Sequence, residues 1–302
     1  MRRILPICSD TIVGTDSHEW IPRNFEDFLK ELDHIINSCE AENPHFRGHA
    51  DSKWLLESTF VRTCKKLLLD IEPHIKASEQ IQESREYSQA LFALFLLKYD
   101  VLVKSNTKFN EYKILESTHN IDALYSLMRY YQQYPEKDIF RPRGTFFLDW
   151  SQKGPEVGLF FANFDSDEHH KKNRKTNGAL FICDQPVTGK TLMRKETGES
   201  IRMEEVIDKM AEALNENKGA GCPLLFYPPV QDLIPRANNQ DVVYWAQVDL
   251  RYDLEYIWKL QENDADEEQY IFIKLILPLE SQKECAKYLI SQQITHNYLF
   301  AK

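Results

Sequence analysis

Three short segments carry residues whose types and spacing suit chemistry. In Phe46-Arg47-Gly48-His49, the Arg47 guanidinium is a planar fork that matches a phosphate or a ribose edge, and Gly48 allows a ligand close to the backbone. The same pair also fits an arginine in an ion pair beside a turn glycine. In Leu148-Asp149-Trp150-Ser151, a carboxylate, an indole and a hydroxyl precede an apolar helix, an arrangement favourable to anions. The alternative makes Ser151 or Asp149 the helix N-cap and Trp150 a core residue. In Arg236-Ala237-Asn238-Asn239-Gln240-Asp241, amide side chains are placed to bind a polar ligand or to form a turn. No G-x-S-x-G elbow is present, which argues against a Ser-His-Asp hydrolase.

Composition narrows the field. Only 10 of the 302 residues are glycine, and neither G-x-G-x-x-G nor G-x-x-x-x-G-K-[ST] occurs. A net charge of -10 gives no general attraction to nucleic acid or anionic membranes. No run of roughly 18 apolar residues predicts a membrane span, and residues 1–8 lack the apolar core of a signal peptide, so a cytoplasmic protein is expected. The six cysteines form no C-x-x-C pair. The nearest approach to a metal cluster is His34, Cys39, His45 and His49, whose spacing matches no standard finger, so neither a metal nor a disulfide is expected.

The elements that must position these residues follow from periodicity. Apolar residues at helical spacing predict helices over 16–40, 55–69, 84–97, 121–134 and 201–215, with a short apolar helix over 157–162. Ser281 with Glu284 three residues on predicts the start of a last helix over 281–293. Buried runs predict strands over 45–48, 145–148, 178–183, 224–227, 242–245 and 270–277, with a turn at Arg141-Pro142-Arg143-Gly144. The polar stretches 165–176 and 264–268 read as exposed loops. Without regular βαβ alternation, the fold class is α+β with a mostly antiparallel sheet. One domain over 1–302 is expected, with a helical subdomain over 65–135 and a strand-rich part over 140–302.

Taken together the segments resemble the FRG domain family. Phe46-Arg47-Gly48, Trp54, Leu56, Phe60 and Arg62 match its opening pattern. Thr145-Phe146-Phe147-Leu148-Asp149-Trp150-Ser151 with Phe160-Phe161-Ala162 is similar to its Asp-Trp segment and the helix that follows. Arg236 to Tyr244 resembles its glutamine motif, with Gln240 at the first glutamine, and 273–300 resembles its closing strand and helix. Two departures are visible. The stretch before the Asp-Trp segment reads Arg129-Tyr130-Tyr131, followed by extra residues, and the family's Gln-Gln-Gly is Gln240-Asp241-Val242.

The resemblance implies a split sheet of the ADP-ribosyltransferase type, with NAD as co-substrate in the cleft between half-sheets and no metal. Arg47, Asp149, Ser151, Gln240 and Asp241 are then the candidate catalytic residues, and Arg47, Gly48, Trp150, Ser151 and Tyr131 the candidate NAD contacts. In this scheme Trp150 stacks on a ring and a carboxylate, Asp149 or Asp241, faces the developing cation. It further implies transfer of ADP-ribose to a protein or nucleic acid, a toxin or anti-phage role, and a possible antitoxin or immunity protein as partner. The alternative is an inactive nucleotide- or partner-binding module.

Overall fold

A computed structural model describes residues 1, 3–71, 89–94, 96–98, 132, 141–164, 175–184, 192–194, 210–211, 223–226, 235–264 and 269–300. Within them the strands are β1 (Ile12–Val13), β2 (Glu19–Ile21), β3 (His45–His49), β4 (Phe147–Ser151), β5 (Gly178–Cys183), β6 (Leu192–Arg194), β7 (Leu224–Phe226), β8 (Val242–Ala246) and β9 (Phe272–Leu277). They form one mixed sheet in the order β1-β2-β9-β5-β3-β4-β8-β7-β6. β2–β9 and β6–β7 run parallel and the other neighbours antiparallel. The helices are α1 (Phe25–Asn37), α2 (Thr59–Ile71), α3 (Pro155–Asn163), α4 (Pro235–Gln240), α5 (Leu254–Asp264), α6 (Gln282–Ser291) and α7 (His296–Leu299). None is long and apolar enough to cross a membrane.

Period-two alternation sorts the central strands onto two cores. Leu180 and Ile182 of β5 and Ile273, Leu275 and Leu277 of β9 face α1, α3 and α6. Ala179, Phe181 and Cys183, with Phe272 and Ile276, face Leu254, Ile257 and Trp258 of α5. Because both faces are covered, these strands are apolar throughout, which is why their sequences read as continuous hydrophobic runs. Helix α1 starts where Asn24 caps it, its side chain accepting from the Asp27 amide, and buries Phe25, Phe28, Leu32 and Ile35 on one face.

Several boundaries differ from the sequence reading. The helix expected over 16–40 begins only at Phe25, because Glu19–Ile21 pair with β9 as an added strand. The strand expected over 145–148 is β4, two residues later, so Asp149, Trp150 and Ser151 lie within a strand rather than after it. Neither Asp149 nor Ser151 caps α3. That position is Gly154, at φ 142°, followed by Pro155 at the first helical residue. Arg236 to Gln240 form α4 rather than a turn. Ser281 closes a 3₁₀ turn and makes no side-chain cap to α6. Of the expected subdomain over 65–135, residues 65–71, 89–94, 96–98 and 132 are described and helical. The helix at 121–134, apart from Gln132, and most of 165–176 and 201–215 lie outside the described residues.

Helix α3 lies on β3 and β5 at glycine distance. A Cβ on Gly48 would sit 1.8 Å from the Gly158 carbonyl oxygen, and one on Gly178 would sit 2.1 Å from that of Ala162. Gly48 therefore serves first as a seat for α3. Gly48→Ala is expected to destabilise the fold by about 3 kcal/mol or more, since backbone rather than a flexible side chain must yield. Urea unfolding of the variant measures this, and a loss below about 1 kcal/mol contradicts the packing argument.

Candidate functional site

The sheet is nearly divided between β3 and β4. Those strands share one residue pair, Phe46 with Ser151, whereas β3–β5 and β4–β8 share five each. On one side lie β1, β2, β9, β5 and β3; on the other β4, β8, β7 and β6. A cleft of about 290 Å³ opens here, lined by residues of β3, the loop after it, β4, α3, α4 and Phe300.

Arg47 and Asp149 meet across the gap. Arg47 Nη1 donates to Asp149 Oδ1 at 2.7 Å and also to the Asp149 main-chain carbonyl. Gln132 Nε2 donates to the same carboxylate oxygen at 3.0 Å, and Thr145 Oγ1 orients Gln132 by donating to its Oε1 at 2.6 Å. Burial alone would raise the Asp149 carboxyl, but the Arg47 charge and the Arg47 and Gln132 hydrogen bonds outweigh it and hold the group below the usual carboxylate range. Both side chains keep some exposure, 15% for Arg47 and 27% for Asp149, so a ligand in the cleft can reach them. Arg47 Nε also donates to His49 Nε2 at 3.3 Å. Burial, then the Arg47 and Arg62 charges, push His49 well below the usual histidine range, which keeps its ring neutral and able to accept.

The other expected residues divide. Ser151 borders the cleft, with its hydroxyl donating to the Gln240 carbonyl at 2.7 Å and accepting from the Lys153 amide at 3.1 Å, so it braces β4 against the end of α4. Gln240 is buried, and its Nε2 donates to the Leu299 carbonyl at 3.4 Å. Asp241, at φ 47°, is exposed and is not among the cleft's lining residues. Neighbours on a strand point to opposite faces, so Trp150 turns away from Asp149. Trp150 is among the residues lining the cleft, but its indole is buried edge-to-face against Trp258, centroids 5.7 Å apart, which leaves it little open face for a ligand ring. Gly48 lines the cleft with its Cα against α3. Tyr131 lies outside the described residues.

Sequence reasoning assigned no site role to Trp54, His49, Arg62, Gln132, Arg236 or Phe300, all of which line the cleft. Arg236 packs its guanidinium 4.4 Å over the Phe300 ring, joining α4 to the segment after α7. Arg62 Nη1 donates to the Glu57 carbonyl and Nη2 to Thr59 Oγ1. Trp54, Arg62, Arg236 and Phe300 are visible within the FRG-like segments, whereas Gln132 stands outside any spacing that would single it out. Among the described residues no group of three or more His, Cys, Asp or Glu is arranged to hold a metal ion.

No family model, curated protein or solved structure matches the chain.

Two buried neutral histidines give the fold a pH signature. Burial lowers His45, on β3, to about 3, and His49 is also lowered. Once unfolded, each takes up a proton below about pH 6.5, so acid favours the unfolded chain. Stability is expected to fall below pH 6.5, by up to about 1.4 kcal/mol per pH unit for each histidine. Urea unfolding from pH 7 to 5 measures the slope, and His45→Gln should reduce it. Equal slopes in the two proteins would contradict the assignment.

Proposed function

We propose that the chain binds NAD in the split-sheet cleft, breaks the nicotinamide–ribose bond and passes ADP-ribose to a macromolecular acceptor. The observation that carries this reading is the near-complete division of the sheet, with Arg47 and Asp149 facing each other at the break. The glycosidic bond breaks with its electron pair leaving on nicotinamide, and the ribosyl C1′ gains oxocarbenium character. Asp149 suits the stabilisation of that cation and acceptance of the proton lost by the attacking nucleophile. Arg47 and Arg62 suit the diphosphate, whose charge would compete with Asp149 for the Arg47 fork. The fold type of an ADP-ribosyltransferase and membership of the FRG family belong to the same proposal.

One observation favours a second reading, a module that binds a nucleotide without turning it over. Among the described residues lining the cleft Asp149 is the one carboxylate, and it is held by Arg47. Labelled NAD incubated with the protein and a cell lysate separates the two. The enzyme reading expects nicotinamide release and label transfer that fall at least ~100-fold in both Arg47→Ala and Asp149→Asn. NAD binding without release by the native protein supports the module and overturns the enzyme. A toxin or anti-phage role, with an antitoxin as partner, expects expression to arrest growth and Arg47→Ala to relieve the arrest.

A further inference from the structure

Trp20, Trp150, Trp245 and Trp258 are at most 1% exposed, whereas Trp54 is 41% exposed. The exception stands at the cleft, which it lines together with Arg62. Its loop is braced. The Ser52 amide donates to the Asn177 carbonyl at 2.8 Å, the Lys53 amide to Asp51 Oδ1 at 2.9 Å, and the Trp54 amide to the Asp51 carbonyl at 3.1 Å. Two residues on, Leu56 is fully buried. The indole is thus carried on a braced backbone with part of its surface in water, contrary to the fate of the other four. Its ring centroid lies 6.2 Å from that of His49, whose Nε2 accepts from Arg47. Contacts therefore lead in steps from the Asp149 carboxylate through Arg47 and His49 to Trp54.

We propose that Trp54 is the platform on which the adenine of the dinucleotide stacks. This rests on the NAD reading above and adds a residue and an orientation to it. The reacting nicotinamide ribose belongs beside Asp149, the one carboxylate among the described residues lining the cleft. Trp54 stands at an exposed edge of the cleft, so a base stacked on it lies at the rim. Between the two ends comes a diphosphate, for which Arg47 and Arg62 supply guanidinium groups on the same lining. A purine face against an indole, with guanidinium groups nearby for the phosphates, is a stable pairing in water.

Calorimetric titration of the native protein, Trp54→Ala and Trp54→Phe with NAD, ADP and nicotinamide mononucleotide tests the proposal. Trp54→Ala should bind NAD and ADP about tenfold or more weakly and nicotinamide mononucleotide within about twofold of native. Trp54→Phe should stay within about threefold for all three, and ADP should quench tryptophan fluorescence in the native protein but not in Trp54→Ala. Unchanged ADP affinity in Trp54→Ala, with NAD still bound by the native protein, overturns the platform and leaves the NAD reading standing. Selective loss of nicotinamide mononucleotide overturns the orientation. Native protein that binds none of the three overturns both. Weakened binding in both variants with a lowered melting temperature marks Trp54 as structural and also overturns the proposal.

Discussion

Helix α3 can rest on β3 and β5 only because glycines meet at the contact. Gly48 and Gly178 on the strands, and Gly158 on the helix, bring backbone against backbone where any side chain would intervene. The chain leaves β4 through Gly154 and Pro155, enters α3, and is anchored by that helix on the opposite half of the sheet. The segment leaving one half is thereby bound to the other, which fixes how far β3 and β4 stand apart. Arg47 is next to Gly48 in sequence and Asp149 lies two residues before the end of β4, so the ion pair follows from the helix seat. A chain with only ten glycines places three of them at this single contact.

The electrostatics of the cleft run against those of the whole protein. The chain is acidic by ten charges, yet the described residues lining the cleft include Arg47, Arg62 and Arg236 against one carboxylate. Arg47 and Asp149 largely cancel each other, which leaves a positive excess among these described residues, inside walls of low dielectric where each charge is felt more strongly than on the surface. A small anion is favoured there, while a long polyanion meets repulsion from the surrounding surface. His49 adds no charge, since it stays neutral beside the arginines.

How far the sequence revealed this depended on local pattern. β5, β8, β9 and α3 were legible because burial on both sides leaves an uninterrupted apolar run. β4 was misplaced by two residues because Asp149, a carboxylate at a gap in the sheet, looks like the end of a strand. That slip reversed the apparent roles of neighbours: once Asp149 and Trp150 lie in one strand, they cannot share a face. β1 and β2 are two and three residues long and take their form from β9, which local propensity does not reveal. α4 reads as a turn because Asn-Asn-Gln favours turns. It is held as a helix by burial of Ala237 and by contacts to the α7 segment. Arg47 and Asp149 were legible as candidates, but their pairing across 102 residues was not, since nothing local encodes it.

The same long separations govern how the cleft comes into being. Ser151 and Gln240, 89 residues apart, join β4 to the end of α4, and Phe300 completes the wall. A growing polypeptide that has reached residue 235 carries Arg47, Arg62 and Asp149, but β4 lacks β8 and β5 lacks β9. α3 can already seat on β3 and β5 at that length, but neither half-sheet has the strands that flank it. The cleft is whole only once Gln240 and Phe300 have emerged, long after Arg47, Arg62 and Asp149 were made.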